Sequence, residues 1–335
     1  MLIREQLEER ERVLLSPVAV KACETRGRMA AEEEDPYRTA FQRDRDRILH
    51  TKAFRRLKRK TQVFLAPEDD HYRTRLTHTL EVSQIARTMA RALFLNEDLA
   101  EAISLGHDLG HTPFGHAGET VLNDLYAPGF KHYEQSLRVV DVLEKRHDAD
   151  GLNLTYEVRE GILNHSSGKA LIYGQPLPDM SQESLVVSIA DAIAYINHDV
   201  DDALRAGVIT DASLPVDAVR ILGRTHSERI DSMVVGVLKG SRAGTIGILP
   251  PICDAIRVLR DYLYQQVYPC EAIEREIRKA RGMVRDLYLY LLEHPDKNVE
   301  EQRRDDTLER RTVDFVAGMT DEYAMRLYRM LLQPR

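Results

Sequence analysis

Residues 77–95, THTLEVSQIARTMARALFL, set the apolar side chains Val82, Ile85, Met89 and Leu93 at spacings of three and four. At 3.6 residues per turn those positions share one face, which is the signature of an amphipathic helix. His78 lies on the same stripe, four residues before Val82, so an imidazole is aimed at the core. Helical patterns recur at 131–146, 156–166, 184–207, 254–268, 274–294 and 313–332. A further helix is expected to begin near Asn96 or Glu97, run through EDLAEAISLGHDLGH and break at TPFG, since Pro113 and Gly115 both resist continuation. Strand signals are few. ALIYGQP (170–176) and GTIGILPP (244–251) are short and rich in Gly and Pro, so they read as loops or a small hairpin. Without a low-complexity linker or an internal repeat, a single all-α domain is the simplest architecture, with segments 26–38 and 168–182 the least organised.

The 335 residues carry a net charge of −7, with 30% charged and 43% hydrophobic residues, the profile of a folded globular protein. No run reaches the roughly 18 apolar residues that a membrane span requires, and the charged start MLIREQLEERERV is no signal peptide. A cytoplasmic location is the expectation. Cys23, Cys253 and Cys270 are far apart and form no C-x-x-C pair, so a metal would have to be held by His and carboxylate. Charge is unevenly placed: residues 42–60, QRDRDRILHTKAFRRLKRK, hold nine Lys/Arg against two Asp. Such a local field suits phosphate groups, and it equally describes a solvated helix face, although Ile48, Leu49, Phe54 and Leu57 require the segment to pack as well.

Polar residues on apolar faces mark the chemistry. His78 points inward, His107 and Asp108 sit together in an apolar segment, and Asp191 lies inside VVSIADAIAYI. A buried ionised carboxylate is costly unless it is paired or metal-bound. Two imidazoles and two carboxylates form a ligand field that fits Mn²⁺, Fe²⁺, Mg²⁺ or Zn²⁺ and leaves positions open for water and substrate. Buried His–Asp pairs without a metal would satisfy the same pattern. Further along, His111 is one helical turn from His107, while His116 and Glu119, three apart after the TPFG break, can meet. A His beside a carboxylate is how a general acid or base is oriented. A solvent-exposed His and an ordinary first-turn acid are the alternative for that pair.

The order H…HD…D, here His78, His107–Asp108 and Asp191, resembles the HD-domain phosphohydrolase superfamily. Five longer blocks resemble the bacterial deoxyguanosinetriphosphate triphosphohydrolase-like family: residues 38–64, 73–87, 106–119, 188–207 and 314–324. The resemblance covers about residues 26–325, with an HD core at about 70–205 and a C-terminal helical part at about 215–335. It implies that His78, His107, Asp108 and Asp191 bind a divalent metal, Mn²⁺ or Mg²⁺ first, with Fe²⁺, Zn²⁺ or Ni²⁺ as alternatives. It also implies that His116, Glu119 and His132 serve the chemical step. His111 and Arg75 would contact the phosphates, and Gln62, Tyr195 and Asp199 the sugar. Asp191, Tyr195 and Asp199 share one helical face by their spacing alone. One departure concerns the residue after the last ligand: vertebrate relatives carry a phosphate-binding Lys there, and this chain has Ala192. Other cations must then hold the triphosphate, with Arg55, Arg56 and Lys60 as candidates.

The expected activity is metal-dependent hydrolysis of a dNTP to deoxynucleoside and inorganic triphosphate, with a dNTP effector and a homo-oligomer implied by the family. Two other readings stand beside it. One is a nucleotide monophosphatase or phosphodiesterase of the same superfamily, against which the long basic run argues. The other is a nucleotide sensor or single-stranded nucleic-acid binder, disfavoured by the absence of Trp and the scarcity of aromatics near the basic run.

Overall fold

A computed structural model describes residues 2–62, 73–146, 149–242, 244–295, 299 and 305–333. Val63 and Phe64, which end the basic block, lie outside the described residues. The architecture is all-α. In chain order the helices are α1 (Ile3–Leu14), α2 (Ala40–Leu49), α3 (Lys52–Arg56), α4 (Arg75–Ala92), α5 (Glu97–Gly106), α6 (His116–Leu125), α7 (His132–Arg138) and α8 (Tyr156–Asn164). They continue with α9 (Gly168–Ile172), α10 (Gln182–Arg205), α11 (Val216–Leu222), α12 (His226–Gly240), α13 (Pro250–Tyr262), α14 (Glu271–Glu293), α15 (Leu308–Ala317) and α16 (Asp321–Leu332).

Side-chain caps start several of these helices where polar residues precede an apolar stripe. Thr74, Asn96, Ser181 and Thr320 each accept an N–H of the first turn of α4, α5, α10 and α16. Helices α4, α5 and α10 pack on one another and form the middle of the molecule. Val82, Ile85 and Met89 are buried as the stripe predicts, and His78 is buried with them. The buried apolar side chains fall into two clusters. One gathers α2, α4, α5, α8, α10, α12 and α13; the other joins Phe114, Phe130 and α6 to α14, α15 and α16.

Three sequence expectations are corrected. Helix α5 stops at Gly106, before the HDLG turn, instead of running to TPFG. The cause is a close crossing with α7: the Ser136 hydroxyl accepts the Gly110 N–H (2.9 Å) and donates to the His107 carbonyl (2.7 Å). A Cβ on Gly110 would lie 2.1 Å from the Ser136 nitrogen, so only glycine allows that approach. Second, the stretch 170–176, read as a loop or a small hairpin, is helical over its first three residues. The small antiparallel pair is Lys145–Arg146 with Ala149–Asp150, inside a stretch that reads as helix, while residues 168–172 are helical. Third, residues 313–332 form two helices, because Gly318 ends α15 and Thr320 caps α16.

That junction touches the TPFG turn directly. Asp321, the first residue of α16, accepts the Phe114 N–H on Oδ1 (2.9 Å) and the Thr61 N–H on Oδ2 (2.8 Å). Gly115 then enters α6 at φ 58° and ψ −133°, a conformation essentially confined to glycine.

Candidate active site

A cleft opens between α4, α6, α9, α10 and α13, with Asp108 and His111 from the turn after α5 in its lining. On one side His78, His107 and Asp108 hold their ligand atoms within 4.8 Å of one another. Asp191 Oδ1 comes to 3.1 Å from His78 Nε2 and 3.9 Å from His107 Nε2. The Nδ1–H of His107 is donated to the Ser104 carbonyl at 2.6 Å, which leaves Nε2 as a lone-pair acceptor. That atom is fully buried and has no partner. Buried polar atoms in native proteins are almost always satisfied, so an orphan nitrogen facing two carboxylates fits a divalent cation. Burial pushes the carboxyls of Asp108 and Asp191 up, but the surrounding imidazoles, and for Asp108 also Arg75, hold both below their ordinary range. Arg75 Nη1 donates to Asp108 Oδ2 at 2.6 Å and fixes the free oxygen toward His107.

Across the cleft lies a second group. Glu119 on α6 bridges two rings: Oε2 is 2.9 Å from His116 Nδ1, and Oε1 is 2.9 Å from His132 Nδ1. Burial raises its carboxyl, yet hydrogen bonds from His116 and His132 and the field of His111 hold it far below the usual value. The His116 side chain is about half exposed, 51%. His111 is buried and stacks on His132 at 4.4 Å, and its Nδ1 is unpartnered. Burial, with Arg75 and His132 nearby, keeps it neutral well below its ordinary pKa. Arg75 Nε and Gln62 Oε1 are also buried without partners at the cleft wall.

Of the residues predicted from the sequence, Gln62, Arg75, His78, Asp108, His111, His116, His132, Asp191 and Tyr195 line the cleft. His107 lies behind Asp108, and Glu119 behind its two imidazoles. Asp199 does not line it: the carboxyl is buried one turn further along α10 and accepts the Tyr268 hydroxyl. The candidate phosphate cations are also elsewhere. Arg55 donates to the His50 carbonyl and Arg56 to that of Gly318, both on the surface. Lys60 is buried and donates to the His111 and Ala317 carbonyls; burial pushes its ammonium down to about 7. The cleft takes its cations from Arg75, Lys169 and Arg260 instead. Lys169 and Arg260 were not anticipated, nor was His165, whose Nε2 lies 3.2 Å from His132 Nε2. The polar run NHSSGK at the end of an apolar helix was the available signal for His165 and Lys169. Arg260 lies in an ordinary amphipathic pattern and had none.

Residues 75–196 match the HD domain family, and residues 246–330 match the phosphohydrolase-associated domain. A deoxyguanosinetriphosphate triphosphohydrolase-like protein from Caldanaerobacter subterraneus subsp. tengcongensis is 53% identical over 100% of this chain and 97% of its own. One from Desulfatibacillum aliphaticivorans is 47% identical over 100% and 99%. The chain belongs to this family. It is therefore an HD phosphohydrolase, and the matched HD segment carries both the candidate metal ligands and the Glu119 group. A crystal structure of a hypothetical protein from Aquifex aeolicus shares the fold, with a TM-score of 0.50 at 18% identity over 87% of this chain and 71% of that one. Among the described residues no helix is long and apolar enough to cross a membrane.

Proposed function

We propose that this HD phosphohydrolase converts deoxynucleoside triphosphates to the deoxynucleoside and inorganic triphosphate. The observation that carries the reading is the opposition, across one cleft, of a buried His/Asp ligand set and a carboxylate-oriented His, with three cations on the walls. A divalent ion, which His78, His107, Asp108 and Asp191 would hold and which the family makes Mn²⁺ or Mg²⁺ first, would supply Lewis acidity at a phosphoryl oxygen and lower the pKa of water.

The chain's own residues do the rest. Water adds its oxygen to the α-phosphorus, the bond from that phosphorus to the sugar 5′-oxygen breaks, and a proton from protonated His116 Nε2 goes to the leaving oxygen; one water proton stays on the new phosphate oxygen, and the other leaves to solvent, from which His116 is reprotonated. Glu119 accepts the His116 Nδ1–H and keeps the opposite nitrogen turned to the cleft, while His132 buttresses Glu119. Arg75, Lys169 and Arg260 neutralise the triphosphate, which supports a polyphosphate over a monophosphate substrate. Gln62 Oε1, buried and unpartnered, is available to a sugar hydroxyl, and Tyr195 walls the sugar against an added 2′-oxygen. Asp199 acts on the sugar only through this wall, by way of Tyr268.

The test incubates the full chain with Mn²⁺ or Mg²⁺ and each dNTP or NTP, singly and in mixtures, and resolves the products by anion exchange. Release of inorganic triphosphate is expected; monophosphate plus pyrophosphate, or no turnover in any mixture, overturns the reading. Faster turnover in mixtures, with the mass in solution followed in parallel, would reveal the effector nucleotide and homo-oligomer that the family implies. The expected location is the cytoplasm, where the substrate is found.

A further inference from the structure

His78 and His107 are oriented by different means. His107 gives its Nδ1–H to a backbone carbonyl. His78 Nδ1 instead lies 3.2 Å from His198 Nδ1, and His198 Nε2 is hydrogen-bonded to Glu81 Oε2. Helix α4 supplies His78 and Glu81, three residues apart; α10 supplies His198, seven residues beyond Asp191. The two helices that bring ligands to the cleft therefore also bring a three-membered chain behind one of them.

The order of protons in that chain is fixed once His78 Nε2 is used as a ligand. The remaining proton of His78 must sit on Nδ1 and be donated to His198 Nδ1. His198 then accepts there and must carry its own proton on Nε2, which only an acceptor such as the Glu81 carboxylate can receive. Arg73 Nε holds the other Glu81 oxygen at 3.4 Å and anchors the far end. We infer that Glu81 and His198 are positioning residues that hold His78 in the tautomer and ring orientation a divalent cation requires. Carboxylate partners behind a ligating imidazole raise its basicity and commonly tune affinity; here the carboxylate acts through a second ring.

The same Glu81 and His198, with His226, lie close enough to suggest a second cation site. The Arg73 guanidinium stands in it, 3.3 Å from His226 Nε2 and also paired with Asp201 and Asp202. A positive group already occupies that position, so no cation is expected there.

The inference rests on the metal reading of the cleft, and the experiment separates the two. Metal-stripped full-length protein is titrated with Mn²⁺ by calorimetry, and the Co²⁺-loaded form is followed by its visible spectrum. E81L and H198F should each raise the dissociation constant about 10- to 100-fold and alter the Co²⁺ bands, with the number of sites unchanged from the wild type. E81Q, whose carbonyl still accepts from His198, should stay within a few-fold of the wild type. Because both act through one chain, E81L/H198F should be no weaker than the worse single variant. The melting temperature of the metal-free variants is measured alongside, since a purely structural role would lower it without touching affinity or spectrum. Wild-type affinity in folded E81L or H198F, additive losses, or an E81Q loss equal to that of E81L would overturn the relay; H198F carries the test if E81L does not fold. Failure of the wild type to bind any divalent ion would overturn the metal reading itself.

Discussion

Two pairs of buried or half-buried carboxylates are shifted in opposite directions. Glu183 on α10 is fully buried: Oε1 accepts the N–H groups of Val20 (3.0 Å) and Asn96 (2.9 Å), and burial pushes the carboxyl up to about 7. Glu11 on α1, which accepts the Ala22 N–H, is pushed by burial to about 7 as well. Asp108 and Asp191 meet the same desolvation and are nonetheless held low by the imidazoles and, at Asp108, by Arg75. Glu183 and Glu11 sit among neutral amide donors with little cationic help, which suits groups that pin α1 and the following loop to the core. The cleft pair sits in a positive field that keeps carboxylates ionised and ready for a cation. Burial alone does not mark a site; burial against an assembled charge does.

The strongest way to break the contrast is D108N, which removes a ligand and leaves Arg75 without its carboxylate. Mn²⁺ binding and turnover should both fall below detection; a variant that still turns over would detach the low carboxylates from the chemistry. H116A should lower kcat by about 10²- to 10⁴-fold while calorimetry shows Mn²⁺ affinity unchanged, because its ring lies across the cleft from the ligands. R260A should raise KM for the triphosphate by about tenfold or more with kcat within a few-fold, the pattern of a lost charge-assisted contact made equally in ground and transition states.

The smallest effect belongs to E183Q and is read in thermal melts. The folded pKa of Glu183, about 7, stands above its unfolded value of 4.5, so between those values the folded chain keeps a proton that the unfolded chain has released. Its contribution to stability is complete below pH 4.5 and is lost as pH rises through about 7. The melting temperature of the wild type relative to E183Q should therefore fall by a few degrees as pH rises across this window. A difference that stays constant with pH would remove the high-carboxyl half of the contrast.

What the sequence makes legible follows from how locally each feature is encoded. The α4 stripe, the inward His78 and the meeting of His116 with Glu119 depend on helical spacing and can be read directly. The end of α5 cannot, because it is set by Ser136 of α7, a partner 29 residues from His107. Lys60 reads as a phosphate cation from its basic neighbourhood, yet tertiary packing turns it to the His111 and Ala317 carbonyls. Arg260 reaches the cleft only because α13 packs against α9. Charge runs report composition; which cation faces the cleft is decided by helices far apart in the chain.

The Asp321 carboxylate, tied to the amides of Thr61 and Phe114, makes the C-terminal helices a working part of the cleft. Exchanging residues 246–330 between relatives as a cassette would preserve the apolar packing and still fail wherever this three-point joint did not travel intact.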